Sequence, residues 1–152
     1  MRCAEARAVC ADIEVFFRQQ LAIHRSREMM QHIPMQYLCL IYVDEQLERA
    51  LAHQELDEIV AEHLAHDEEL RAKGQYVTSA ALESASTATT VRVRRGRIST
   101  TDGPFAETKE QLGGFVLIEA RDLNEAIQIA ARIPSARNGA VEVRPVRQLS
   151  KG

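Results

Sequence analysis

Tyr37-Leu38-Cys39-Leu40-Ile41-Tyr42-Val43 is a nearly unbroken apolar run. It is short for a helix and has the length of a strand buried on both faces. Helical periodicity follows over residues 47–73, with Leu56, Ile59, Val60, His63, Leu64 and Leu70 on or near one face. Gly74 is placed to end that helix in a left-handed cap, with Arg71 and Lys73 in the last turn, where the helix dipole favours cations. Residues 76–82 read as a second strand. Residues 89–94 alternate, turn at Arg95-Gly96 and resume over 97–100, which predicts a hairpin with one polar face. Asp102-Gly103-Pro104-Phe105 is turn chemistry. Gly113-Gly114 leads into a buried strand at residues 115–118. Asp122 followed by Glu125 forms a capping box, and the helix it opens carries Leu123, Ala126, Ile127 and Ala130 on one face before stopping at Pro134. Val141, Val143 and Val146 mark the last strand.

The resulting order predicts an α+β fold, a ferredoxin-like βαββαβ plan with an extra hairpin. Two helices cover one face of such a sheet. A second copy of the sheet is the simplest cover for the other, so a homodimer forming a dimeric α+β barrel is expected.

Composition narrows the function classes. The 152 residues include 45% apolar and 27% charged side chains, a globular balance. Nineteen basic residues against 22 acidic ones give a net charge of −3, which provides no electrostatic footprint for nucleic acid. No apolar window is long enough to span a membrane, so no membrane partner is expected. The three cysteines, Cys3, Cys10 and Cys39, are odd in number and lack CxxC spacing, which points to a reducing cytoplasm and away from a disulfide framework or a cysteine zinc site.

Residues 1–34 differ from the rest, carrying net +1 against −4 for the remainder. They read as an N-terminal extension that is either a mis-assigned start, with Met35, Met29 or Met30 as the true one, or a helical arm built on Val9, Ile13, Phe16, Phe17 and Leu21. Residues 35–148 form the compact domain, and residues 149–152 are a tail.

Two stretches carry chemistry. His63 shares the apolar face of the first helix, with Asp67 one turn further on. A carboxylate beside a half-buried imidazole raises its pKa and orients it for general acid–base work. The competing reading is a core-edge histidine that is simply hydrogen-bonded. His53 and His66 fall on other faces and are expected to be solvated. Metal binding is not expected, because the spacing of His63 and His66 brings no further ligand pattern. Residues 102–110 form the second candidate. Asp102 is placed to accept N–H groups of its own turn, and Glu107, Lys109 and Glu110 crowd charge onto one loop. A well-capped connector with solvated charges is the alternative. Arg92, Arg94, Arg95 and Arg97 make a basic hairpin, against ten acidic and three basic residues over 44–73. Intersubunit pairing, anion binding and a solvated edge that blocks strand addition are its possible uses.

The stretch Thr101-Asp102-Gly103-Pro104-Phe105-Ala106-Glu107-Thr108-Lys109-Glu110-Gln111-Leu112-Gly113-Gly114-Phe115 closely resembles the signature of the DGPF branch of the YCII-related family. The likeness continues through Glu69–Gly74, Thr87–Arg92, Ala130–Pro134 and Val141–Val146. It implies a dimeric α+β barrel of ferredoxin-like subunits and a site built on a first-helix histidine, here His63, with an aspartate. The aspartate that simpler members place before a proline is absent, since Ile133 precedes Pro134; Asp102 or Asp67 would have to substitute. The resemblance also implies association with extracytoplasmic-function sigma factors, although no DNA-reading element is seen.

The functional expectation is a small cytoplasmic homodimer acting as a cofactor-independent acid–base enzyme on a small polar molecule. Its site is expected to use His63, Asp102 and Asp67 as catalytic groups, and Tyr37, Tyr42, Phe105, Glu107 and Lys109 for binding. The alternative is a non-catalytic module that binds a small ligand or a sigma-factor partner.

Overall fold

The computed structural model describes residues 34–149. They belong to a compact unit beginning at Pro34. The expectations placed on the N-terminal extension before Pro34 and on residues 150–152 lie outside the described residues.

Strand β1 (Met35–Val43) grows from the apolar run and occupies an inner position of a four-stranded sheet. Its neighbours are β5 (Gln111–Ala120) and β6 (Ala140–Pro145), with β2 (Tyr76–Ala81) beyond β5. The spatial order is β2-β5-β1-β6, and every adjacent pair is antiparallel. Strands β3 (Thr89–Arg94) and β4 (Arg97–Asp102) form a separate hairpin. Arg95 and Gly96 both take positive φ, as a two-residue hairpin turn of this twist requires.

The segment expected to be one helix over 47–73 is two helices. The first, α1 (Glu45–Arg49), starts where the Asp44 carboxylate accepts the N–H groups of Gln46 and Leu47. It closes after one turn. Ala52 is extended, and the second helix, α2 (His53–Ala72), begins there with the Glu55 carboxylate accepting the Ala52 N–H at 2.8 Å. Hydrophobic spacing alone does not register such a break. The C-terminus of α2 follows expectation: Gly74 sits at φ +67°, Gln75 N–H reaches the Leu70 carbonyl, and Gly74 N–H reaches that of Arg71. Helix α3 (Leu123–Ala130) is capped by Asp122, whose carboxylate accepts the Glu125 N–H. The return bond from Glu125 lands on the Arg121 N–H, one residue earlier than the expected capping box.

Both longer helices pack on one face of the sheet. That core joins Tyr37, Cys39 and Ile41 of β1 and Val116 and Ile118 of β5 to Leu70 of α2 and Ala126 and Ile129 of α3. Burial pushes the Cys39 thiol up to about 11, so it stays a protonated apolar filler. The other face of the two central strands, with Leu38, Leu40, Phe115 and Leu117, is only half-buried. Architecturally this is an α+β domain with antiparallel sheets.

Candidate functional site

Only the C-terminal half of α2 seats fully on the sheet, through His66, Asp67 and Leu70. Beneath its N-terminal half, the sheet carries small residues: Ser79 and Ala81 on β2 and Gly114 on β5. Large side chains there would fill the space under the helix; these leave a cavity of about 570 Å³. Gly114 has its own reason to be small, since a Cβ on it would stand 2.7 Å from the Ala80 carbonyl oxygen. Gly113 is the extra residue of a bulge opposite Ile41 and Tyr42 and leaves room for the Val43 side chain. Leu56, Ile59, Val60 and Leu64 of α2 form the apolar wall above, with Ile41 and Val43 of β1 below.

The polar groups of the cavity come from three directions. His63 projects from α2 and is half-buried, and its Nε2 lies 2.9 Å from the Ser135 hydroxyl. Ser135 belongs to the short 3₁₀ turn Pro134–Arg137. Two ion pairs hold that region against α2, Arg132 with Glu69 at 3.0 Å and Arg137 with Glu62. One turn beyond His63, the buried Asp67 accepts a 2.6 Å hydrogen bond from the Ser79 hydroxyl. At the α1 end, Glu45 and Glu48 reach the rim beside Glu83 and Arg49. Glu45 accepts from the Ala85 N–H at 2.6 Å and from Ser84, and it pairs with Arg49 at 2.7 Å. Those bonds, the backbone one foremost, hold its carboxyl below the usual range.

Burial lowers the pKa of His63 from its ordinary value, and the charge of Asp67 works against that shift without reversing it. The imidazole is therefore favoured in its neutral form, able to accept a proton through one nitrogen. His66 was expected to be solvated and is buried instead. Its Nε2 has no hydrogen-bond partner among the described residues, and burial followed by the nearby Arg132 lowers its pKa. Among the described residues no group of three His, Cys, Asp or Glu side chains is gathered closely enough to hold a metal ion.

The cavity brings His63 and Asp67 together, but it does not bring in the remaining residues expected of the site. Tyr37 lies inside the core. Tyr42 pairs with Leu112 and Ala140 on the sheet and does not line the cavity. Phe105 is 81% exposed, with the Arg92 guanidinium 5.6 Å from its ring centre. Glu107 is exposed on the same loop, and Lys109 lies 3.7 Å from Asp44. Asp102 is exposed at the end of β4 and does not bond its own turn. The Gly103 N–H donates to the Ala88 carbonyl at 2.7 Å, and the Thr90 hydroxyl donates to the Gly103 carbonyl. The hairpin backbone thus does the work that Asp102 was expected to do.

Sequence reading missed Ser79, Ser135 and the rim acids. Ser135 follows Ile133-Pro134, the place where a family acid was looked for, so the position was flagged but the hydroxyl was not. Ser79 gives no sequence signal, because only strand pairing with Val116 brings it under α2.

Two comparisons agree with this architecture. The model of the YCII-related domain matches residues 35–150. A protein of Rhizobium meliloti (strain 1021), described as uncharacterized, is 35% identical over 120 residues, covering 78% of this chain and 97% of that protein. The family match takes in every described strand and helix, and the chain belongs to the YCII-related domain family.

Proposed function

We propose that the protein is a cofactor-independent acid–base enzyme in which His63 moves a proton on a small molecule held in the cavity between α2 and the sheet. The observation that carries this reading is the position of His63. It is half-buried on the wall of a cavity of ligand size, favoured as the neutral base, and oriented by a 2.9 Å contact with Ser135. Asp67, pinned by Ser79, supplies negative charge one turn away, which stabilises the imidazolium that forms once the proton is taken. We read the subunit as a ferredoxin-like chain with an inserted hairpin. The strand order β2-β5-β1-β6, with β1 and β2 flanking β5, supports that reading. The half-buried apolar face of Leu38, Leu40, Phe115 and Leu117 supports a homodimer, and the thiol chemistry of Cys39 suits a cytoplasmic setting. The DGPF branch is supported by residues 102–105.

The competing reading is a non-catalytic binding module, including one that serves a sigma factor. Two observations favour it: Ile133 is wholly inside the core where an acid would be required, and Asp67 bonds to Ser79 instead of His63. A panel of small carbonyl compounds incubated in D₂O with wild type and His63→Ala decides between the two. Enzyme-dependent exchange at carbon, followed by proton NMR, is expected to fall about 10²- to 10⁴-fold in His63→Ala, the range lost with a general base. Equal exchange by both proteins across the panel, with the cavity still binding ligand, leaves the module.

A further inference from the structure

The charges on the cavity wall are lopsided. Among the described residues, four carboxylates, those of Glu45, Glu48, Asp67 and Glu83, face one guanidinium, Arg49. Arg49 is already engaged, 2.7 Å from Glu45 and 3.2 Å from the Ser84 hydroxyl. His63 is favoured neutral and adds no positive charge. An incoming anion therefore finds no free cation among the described residues of the wall and meets several carboxylates.

The carboxylates differ in what they still lack. Both oxygens of Glu45 are committed. Asp67 is 8% exposed and lines the cavity; one of its oxygens accepts from Ser79, and the other has no hydrogen-bond partner among the described residues. Glu48 is half-buried on the rim and has no ion pair among the described residues. Its charge is opposed first by burial and then by Glu45, three residues away on the same short helix. A cation at that place relieves both penalties. Between Glu48 and Asp67 the wall is aliphatic, made by Leu56, Ile59, Val60 and Leu64 on α2, so the same ligand has apolar surface to bury.

We propose that the cavity takes a small organic cation, a protonated amine carried on an apolar body. The ammonium sits against the rim acids, and the apolar part lies under α2 beside His63. The proposal rests on the reading of this cavity as the functional site and adds the charge class of its ligand.

Isothermal titration of the full chain at pH 7.5 with three probes of closely similar size tests it: 3-phenylpropylammonium, 3-phenylpropionate and 3-phenyl-1-propanol. The ammonium is expected to bind at least tenfold more tightly than the propionate. Glu48→Gln is expected to weaken the ammonium about tenfold and leave the alcohol unchanged, which also shows that the variant keeps its fold. His63→Ala is expected to retain the preference, so a wrong catalytic base is not mistaken for a wrong ligand class. Propionate or alcohol binding as well as the ammonium overturns the cation class and leaves the cavity standing as a site. Absence of binding by all three at millimolar concentration overturns this proposal and the site reading together.

Discussion

His66 shows how one side chain sets a condition on stability. It is buried on α2, and its Nε2 has no hydrogen-bond partner among the described residues. An unsatisfied buried group costs about 1–3 kcal/mol, and an apolar side chain of similar size escapes that cost. His66→Leu is therefore expected to stabilise the protein by about 1 kcal/mol in urea unfolding. The pH dependence follows from the direction of the shift. His63 and His66 both sit below the ordinary value of 6.5 in the folded state. Their contribution is complete above pH 6.5. As pH falls through 6.5 the unfolded chain takes up protons that the folded one refuses, so stability drops until the lowered folded values are reached. Glu48 acts in the opposite sense nearer its ordinary 4.5, because its folded value is raised. Comparing pH 7.5 with pH 5.5 spans the ordinary histidine value of 6.5 and stays above the ordinary carboxyl value of 4.5. The wild type is expected to lose stability over that interval, and His66→Leu to lose less.

At the scale of elements, what was legible in the sequence was what local chemistry determines. The apolar run of β1, the Arg95-Gly96 turn and the Gly74 cap each depend on neighbours a few residues away, and each formed as read. The break between α1 and α2 was missed because Glu55 and Ala52 make it through a hydrogen bond that hydrophobic spacing does not report. His63 and Asp67 were found because helical spacing fixes their relation; Ser79 and Ser135 were not, because only the tertiary fold brings strand and turn to the helix. Gly139 is a comparable case of nonlocal control. It precedes β6 at an ordinary backbone angle, yet a Cβ there would fall 2.1 Å from the Tyr42 carbonyl oxygen of β1. Backbone must move to admit it. Gly139→Ala is expected to cost about 1–3 kcal/mol, the range for overpacking, and to speed hydrogen exchange along the β1–β6 pair. Wild-type stability in that variant would mean that β6 approaches β1 less closely than described.

For the whole molecule, the two faces of the sheet differ in what covers them. The cavity lies between α2 and the sheet, and the residues named in its walls, Ser135 included, all come from one chain. The other face keeps Leu38, Leu40, Phe115 and Leu117 half-exposed at its centre, with Glu142 and Arg144 paired opposite Leu40 and Leu38 at the β6 margin. Apolar surface buried there is worth about 25 cal/mol per Å², and a standard interface removes about 800 Å² from each partner. In a two-fold contact every residue near the axis meets its own copy or a close neighbour of it. Leu117→Arg therefore places two like charges in one desolvated patch. Light scattering on the full chain at 10–100 μM is expected to give a dimer for wild type and a monomer for Leu117→Arg. Because the cavity faces the other way, that monomer is expected to bind its ligand as the dimer does. A monomeric wild type would remove the stacked-sheet arrangement, and a variant that loses ligand binding along with the dimer would tie the two faces together after all.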